Sequence, residues 1–274
     1  ISGAEKGLQA FFMGADFEYT DAIHGITSSS ALIGCIIGSA ISGFFASRLG
    51  RKNSLFLAGI LFFLSALGSY YPEFLFFEHG VPSYSLLVAF NFYRVLGGVG
   101  VGLASAICPM YIAEIAPSNI RGTLVSWNQF AIIFGQLVVY FVNFLILGSH
   151  ANPVIDLVNG VNQIMNPEAA AWTTETGWRL MFVSEAVPAG LFALLVLLVP
   201  ETPRYLAMCG KDEKALNVLS RINGSSQAKV ILADIKATTE EKTEKLFTYG
   251  WMVIFIGIML SVFQQAVGIN AVLY

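Results

Sequence analysis

Long apolar runs divide the chain into segments of the length needed to cross a lipid bilayer. Six such stretches lie at about 25–47, 54–71, 84–109, 121–148, 177–199 and 249–274. A membrane-spanning helix needs roughly 20 mostly apolar residues, so each stretch predicts one spanning helix. Residues 1–14 predict the end of an earlier helix or an amphipathic segment. The pattern therefore predicts an all-helical integral membrane protein.

The composition excludes a soluble domain. Hydrophobic residues make up 55% of the chain, charged residues only 12%, and the mean hydropathy is +0.68. Soluble domains carry about 25% charged residues, so this chain lacks the charges needed for a hydrated surface. Its three cysteines have no paired spacing, which predicts neither a disulfide framework nor a metal site.

Lysine and arginine residues are distributed unevenly between the two sides of the predicted spans. Of the 15, one side receives twelve and the other receives Lys6 alone, while Arg94 and Arg179 lie within or at the edge of spans. Because cytoplasmic loops carry the excess of positive charge, the basic side is predicted to be cytoplasmic. The chain starts at Ile1 without a methionine and stops at Tyr274 inside an apolar run, so we expect a piece of a longer protein.

The apolar pattern also divides the chain into three regions. We expect an amino-terminal bundle with an incomplete first span over 1–199, a cytoplasmic helical segment over 200–246, and a further span over 247–274 that begins a second bundle. Within the cytoplasmic segment, Thr202 has the form of an N-cap residue, and the proline that follows it, Pro203, predicts the first position of a short helix.

Two charged residues lie where a bilayer would be costly for them. Arg94 is about ten residues into its span and Glu185 is at a comparable depth in another, and an arginine at mid-bilayer costs on the order of 3 kcal/mol. The two are candidates for an ion pair between helices. One interpretation is a structural pair that holds the bundle together. The other is a proton relay, in which protonation of the carboxylate frees the arginine and changes helix packing.

Uncharged amides line one face of a predicted span. Gln129, Gln136 and Asn143 are spaced by seven residues, a repeat that drifts only about 20° per heptad on a helix. Such a stripe faces protein or water rather than lipid. Hydrogen bonds between helices are one explanation. Binding of an uncharged, polyhydroxylated substrate is the other, since each amide offers both donors and an acceptor.

The last apolar stretch carries further amides, Gln264, Gln265 and Asn270, around Gly268. Adjacent amides followed by a glycine predict a helix that breaks near mid-membrane, as helices do at the binding sites of many secondary transporters. No ionised residue accompanies these amides. Their neutrality favours a substrate such as a sugar over a nucleotide, a peptide or an organic ion.

Five motifs in order along the chain resemble those of the sugar porter family of the major facilitator superfamily. They read GFFASRLGRK at 43–52, YIAEIAP at 111–117 with Arg121-Gly122 after it, GWR at 177–179, PETPR at 200–204 and QQAVGIN at 264–270. The first motif departs from the family pattern at Ser47, where an acidic residue is usual. Together the motifs cover nearly the whole chain.

The resemblance implies a set of sugar-binding residues. By position in the family motifs, Gln129, Gln264, Gln265 and Asn270 would contact the sugar, with Gln136 as an addition. Bacterial members of the family suggest D-xylose or a related monosaccharide as the substrate.

The resemblance also implies that Arg94 and Glu185 take part in proton coupling, since facilitative glucose carriers of the family have an apolar residue at the latter position. The proton-accepting aspartate of the family lies in the first span, just ahead of an ISG sequence. Here Ile1-Ser2-Gly3 opens the chain, so that position falls outside it.

A third implied set is a cluster of charges at the cytoplasmic ends of the spans. In the family such clusters latch the inner side of the outward-open state. The six residues at the matching positions are Arg48, Arg51, Glu114, Arg121, Glu201 and Arg204. The alternative is that these charges serve only as orientation signals and solvated surface.

The sequence thus predicts the amino-terminal, six-helix half of the major facilitator fold, followed by cytoplasmic helices and a seventh span. The intact protein is expected to be a monomeric secondary transporter of a bacterial inner membrane, carrying a monosaccharide with protons by alternating access. A facilitative uniporter and a transporter-like sugar sensor are the alternatives. No enzyme, cofactor or nucleic-acid partner is expected, since no nucleophile–base or metal-ligand cluster lies in any span.

Overall fold

The chain forms a bundle of α-helices in the computed structural model, which describes residues 4–15, 17–74, 80–150, 172–240 and 251–266. No β-strand occurs within these ranges. Along the chain the helices are α1 (Glu5–Met13), α2 (Asp21–Arg48), α3 (Arg51–Tyr70), α4 (Tyr84–Ile115), α5 (Arg121–His150), α6 (Trp178–Ser184), α7 (Ala186–Leu198), α8 (Pro203–Met208), α9 (Asp212–Asn223), α10 (Ser225–Glu240) and α11 (Trp251–Ala266), with a π-helical turn at Thr173–Gly177 before α6.

Five predicted spans are confirmed as helical stretches long and apolar enough to cross a membrane. They are Asp21–Arg48, Arg51–Tyr70, Tyr84–Ile115, Arg121–Ile146 and Thr174–Leu198. The sixth prediction, 249–274, is helical over α11. The remainder of that stretch, with the break predicted near Gly268, lies outside the described residues.

The third complete span is longer than the apolar stretch that predicted it, at about 84–109. Helix α4 continues to Ile115 with Pro109 inside it. A proline removes one backbone donor and normally weakens the helix around it. Here the flanking residues are anchored, because Ile107 is fully buried and the Tyr111 hydroxyl donates to the Pro200 carbonyl at 2.7 Å.

Helices α2 and α4 pack along a stripe of small residues. Gly34, Gly38 and Ser42 are all buried on one face of α2, and Gly98 and Gly102 of α4 are buried opposite them. Small residues let two backbones approach closely in lipid, where packing rather than hydrophobicity drives association. Backbone contact along this face holds α2 and α4 together.

The bundle has one apolar cluster near each end. At the outer end, opposite the predicted cytoplasmic side, α1, α4 and α6 bring together Phe12, Phe90, Trp178 and Phe182. Towards the inner end, residues of α3, α4 and α7 form a second cluster that includes the fully buried Ala58. Helix α5 is far less buried than the others. The closely packed part of the membrane bundle is therefore α2, α3, α4, α6 and α7.

The start of the helix after Thr202, in the segment predicted to be cytoplasmic, is confirmed. The Thr202 hydroxyl accepts a hydrogen bond from the Tyr205 backbone N–H at 3.4 Å, and Pro203 is the first residue of α8. Helices α8, α9 and α10 share a small core of their own around Leu206 and Ala215. This segment thus sits directly after α7 as a compact three-helix unit.

Candidate functional site

A cavity of about 840 Å³ lies between α2, α3, α4 and α7. Both intramembrane charges, Arg94 of α4 and Glu185 between α6 and α7, line it. Hydroxyl-bearing Ser28, Ser29 and Ser65 contribute polar wall, and the rest is mostly apolar. The sequence singled out Arg94 and Glu185 by their depth in the membrane. The structure places both at the wall of one cavity.

Helix geometry presents Glu185 to this cavity. Residue 188 is a proline, and proline cannot donate the N–H that would bind the carbonyl four residues earlier, at Ser184. The helical stretch breaks there, so that α6 ends at Ser184 and α7 starts at Ala186. Glu185 occupies the junction and its side chain is exposed to the open space.

The Arg94 side chain is held by an aromatic ring. Its guanidinium carbon lies 5.2 Å from the ring centroid of Phe182 on α6, within the range of a cation–π contact. Phe182 itself is buried in the outer apolar cluster. Arg94 thus has a fixed neighbour, and its position depends on where α6 lies.

The three amides of α5 are graded in burial along the helix. Gln129 is exposed, Gln136 is half-buried, and Asn143 is only 8% exposed. The Asn143 side-chain oxygen is buried without a hydrogen-bond partner. Among the described residues, the wall of the cavity comes from other helices and not from α5. The α5 amides and the charged pair therefore occupy separate parts of the bundle.

The amides of the last predicted span are only partly described. Gln264 and Gln265 lie near the carboxyl end of α11 by their backbone, and the placement of their side chains is outside the described part of the chain. Asn270 lies outside it altogether. Their role as sugar contacts stays a prediction.

At the inner end, Glu201 and Arg51 form the centre of the predicted charge cluster. A Glu201 carboxylate oxygen accepts from the backbone N–H groups of Arg51, Lys52 and Thr202 at 3.1, 3.2 and 2.8 Å. The Arg51 side chain pairs with Glu114 of α4 at 2.7 Å. Glu201 thus caps the amino terminus of α3, whose free N–H groups attract a negative charge, and the cluster joins α3, α4 and the chain before α8.

The other three residues of that predicted cluster lie at its surface. Arg48, Arg121 and Arg204 are exposed. The Arg121 guanidinium donates to the Ala116 carbonyl at 3.4 Å, and the Arg48 carbonyl accepts from the Tyr205 hydroxyl at 2.9 Å. Their part in a latch stays a prediction.

Sequence reasoning missed a second charged pair, buried at the outer end. Arg179 of α6 and Glu73, just after α3, have side chains only 5% and 0% exposed. Two parallel contacts join them, Nη1 to Oε2 at 2.8 Å and Nη2 to Oε1. Arg179 also donates to the Tyr70 carbonyl at 3.1 Å. The sequence did offer one signal for this pair: both residues lie at the outer edge of a predicted span.

The Glu73 carboxylate has a lowered pKa. Burial alone would raise the pKa of this group, but the hydrogen bonds and the positive charge of Arg179, with the Gly80 N–H, outweigh it. A carboxyl group whose pKa is lower in the folded state stabilises the fold above its ordinary pKa of 4.5, and this contribution is lost as the pH falls through the folded-state pKa.

We therefore expect the stability advantage of the native protein over a Glu73→Gln variant to shrink in acid. The advantage is complete near neutral pH and declines once the pH drops below 4.5. Thermal unfolding of both proteins in detergent at several pH values measures it. A constant gap across the acid range would contradict the assigned pair. Glu18→Gln, on an exposed side chain of the same side, controls for the loss of one carboxylate.

The fold and the cavity together define a class of protein: a multi-helix membrane bundle with the fold of one half of a major facilitator. A solved structure of the major facilitator superfamily proton:xylose symporter XylE from E. coli, bound to 6-bromo-6-deoxy-D-glucose, matches with a TM-score of 0.86 and 43% identity. The match covers 99% of this chain and 56% of that one.

Family membership follows from sequence comparison. The sequence model of the sugar (and other) transporter family matches residues 4–274. The D-xylose-proton symporter of Escherichia coli K12 is 44% identical over all of this chain and 55% of its own length. The glucose facilitated diffusion protein of Zymomonas mobilis is 34% identical over 92% of this chain and 50% of its own. The chain belongs to the sugar transporter family, and it spans about half the length of these relatives.

Proposed function

We propose that the protein containing this chain is a secondary transporter that carries a monosaccharide together with protons by alternating access. The observation that carries the proposal is the cavity that both Arg94 and Glu185 line. Ionisable residues are rare between membrane-spanning helices, and where they face a cavity they mark proton or ion pathways. D-xylose is the proposed substrate, because the symporter that is 44% identical carries it by name.

The proposed division of labour separates sugar from proton. Neutral amides on α5 and α11, namely Gln129, Gln136, Gln264 and Gln265, together with Asn270, are proposed to bind the hydroxyl groups of the sugar. Arg94 and Glu185 are proposed to couple the proton. A carboxylate that gains a proton releases its hold on a nearby guanidinium and alters the packing of the helices that carry both.

The inner charge cluster is proposed to latch the cytoplasmic side in the outward-open state. Arg51 and Glu114 already bridge α3 and α4, and Glu201 binds the start of α3. A membrane-embedded monomer in a bacterial inner membrane completes the proposal. Its three proposed regions are the bundle over 1–199, the cytoplasmic segment over 200–246 and the span over 247–274.

The test is sugar uptake by the full-length protein in lipid vesicles with an imposed proton gradient. We expect gradient-driven D-xylose accumulation in the native protein, and at least about a tenfold loss of it in Glu185→Gln, because the neutral amide cannot exchange a proton. Sugar exchange without a gradient should survive in that variant. Glu175→Gln, on an exposed side chain of the turn before α6, should behave as the native protein.

The same assay separates the rival functions. Exchange that ignores the proton gradient in the native protein would identify a facilitative uniporter, which the glucose facilitated diffusion protein among the relatives makes the principal alternative. Sugar binding without any flux would identify a sensor. Either outcome would overturn proton-coupled transport.

A further inference from the structure

We infer that the buried ion pair between Glu73 and Arg179 is a positioning pair, which sets the place of Arg94 and Glu185 through the short helix α6. The inference rests on the proposed proton coupling at Arg94 and Glu185, and it assigns a role to two residues about which that proposal says nothing. Neither of the two lines the cavity.

The pair is built to fix geometry rather than merely to neutralise charge. Both oxygens of Glu73 bind the two terminal nitrogens of Arg179, so the two groups are held in one plane as well as at one distance. Arg179 also binds the carbonyl of Tyr70, the last residue of α3, where a helix end attracts a cation. The Gly80 N–H donates to Glu73 at 3.4 Å. The end of α3 and the start of α6 are thereby locked together.

Aromatic rings enclose the arginine on the remaining sides. The Arg179 guanidinium carbon lies 4.6 Å from the Trp178 ring centroid and 5.2 Å from that of Phe11 on α1. These contacts exclude water from the pair, as the near-zero exposure of both side chains shows. Inside such a site the charged hydrogen bonds are strong, and breaking one partner is costly.

Helix α6 carries this anchor to the cavity. It is the first part of the helical stretch Thr174–Leu198, and the turn at Glu185 separates it from α7. Its position relative to α7 is therefore set by what it packs against. Phe182, one turn after Arg179, holds Arg94 through its ring. Glu185, the next turn on, ends the helix at the break before α7. A shift of α6 therefore moves both members of the proposed coupling pair.

An apolar pair of similar volume in place of Glu73 and Arg179 would fill the same space, but it would not fix the position of α6 against α3. Replacing a buried ion pair by apolar residues of similar size is often neutral for stability or even favourable, so stability alone does not account for a charged pair here. Directional hydrogen bonds fix the rotation of α6 and its position along α3, whereas apolar contacts allow one helix to shift along the other. Positioning is the property that the charged pair adds.

The experiment removes the directional contacts while keeping the fold. In the full-length protein, the double variant Glu73→Leu/Arg179→Met replaces both charges by apolar side chains. Arg179→Lys keeps the positive charge but loses the planar fork. Uptake in vesicles gives kcat and KM for D-xylose, and a pH electrode gives protons taken up per sugar. Glu18→Gln serves as the control, because its side chain is exposed on the same side of the membrane.

We expect both variants to fold, with a kcat lowered by about tenfold, since small displacements of functional groups have effects of this size. The KM for D-xylose should stay within about twofold, because the proposed sugar-binding amides lie elsewhere. The number of protons taken up per sugar should fall. If the double variant fails to fold, Arg179→Lys decides the question by the same two readouts.

Two different failures are distinguishable. Unchanged kcat and unchanged proton uptake per sugar in a folded variant, beside a native protein that depends on the gradient, would overturn the positioning role alone. A native protein that takes up no protons with sugar would overturn the proposed coupling, and the positioning inference with it. A KM that rises while kcat stays constant would also contradict the inference.

Discussion

Replacing Gly98 with alanine is expected to separate α2 from α4 and to leave little stably folded protein. A Cβ atom at residue 98 would lie 2.0 Å from the backbone carbonyl oxygen of Ala31 and 2.9 Å from the Cα of Gly34. Both neighbours are backbone atoms of α2, which cannot turn aside as a side chain can. The two helices must therefore move apart along their shared face.

The expected loss of stability is at or above the upper end of the about 1–3 kcal/mol that overpacking usually costs. Three more glycines on this face meet the opposite backbone as closely: Gly34, Gly38 and Gly102 would each place a Cβ between 2.1 and 2.3 Å from a carbonyl oxygen. Relief at one position therefore cannot come from sliding along the seam. Thermal unfolding followed by size-exclusion chromatography in detergent measures the loss.

Gly43→Ala is the matched control, since it makes the same substitution on α2 where nothing lies within 4 Å of the added atom. An alanine in an exposed helix interior normally stabilises by roughly 0.5–1 kcal/mol relative to glycine, so this variant should be at least as stable as the native protein. If the Gly98→Ala variant unfolded at the same temperature as the native protein, the two helices would not be in contact here.

Much of the contact face between α2 and α4 could be predicted from the sequence, because the spacing of small residues is a local property of one helix. Small residues at Gly34, Gly38 and Ser42 recur every four positions on a helix, and that spacing by itself predicts a packing face. The spans could be predicted for the same reason, since length and hydropathy are properties of one segment. Thr202 and Pro203 predicted the start of α8 from two adjacent residues.

The shared location of Arg94 and Glu185 could be predicted only in part. Both residues were expected in mid-bilayer, and both line one cavity. Their separation along the chain left open how the helices that carry them are arranged. The structure adds the break that Pro188 introduces and the Phe182 ring under Arg94, and neither follows from span lengths.

The Glu73–Arg179 pair escaped prediction because its partners are 106 residues apart in sequence. Charge counting assigns Glu73 to an outer loop and Arg179 to the edge of a span, which predicts solvent exposure for both. The rings of Phe11 on α1 and Trp178 on α6 pack against the Arg179 guanidinium, and only the tertiary structure shows these contacts. The Glu201 cap on α3 escaped prediction for the same reason, since its partners are 150 residues apart in sequence.

Replacing Glu201 with glutamine is expected to release the first turn of α3 from the cytoplasmic segment. The native carboxylate accepts from the N–H groups of Arg51, Lys52 and Thr202. A glutamine with its one acceptor oxygen at the Oε1 position loses the negative charge. It also turns an N–H₂ group towards the Lys52 N–H, which donates to both oxygens of the native carboxylate. Hydrogen bonds to a charged group contribute about 1.5–3 kcal/mol each, so we expect a loss on the order of 3 kcal/mol.

Gly50 shows how closely this carboxylate is fitted. It precedes α3 with a φ of 90°, and a Cβ atom there would lie 2.3 Å from a Glu201 oxygen. Only glycine adopts that backbone conformation without strain, and only its missing side chain leaves room for Glu201. The cap is therefore a direct contact between the motif at 43–52 and the motif at 200–204.

Hydrogen–deuterium exchange of the full-length protein measures the release directly. In Glu201→Gln, amides at the start of α3 should exchange roughly a hundredfold faster, as expected when about 3 kcal/mol of local protection is lost. Under the latch proposed for this cluster, amides at the inner ends of α3 and α4 should exchange faster as well. Glu213→Gln, on an exposed residue of α9, should change neither. Faster exchange confined to the first turn would support the cap and refute the latch, because a latch transmits its loss to both helices that it joins.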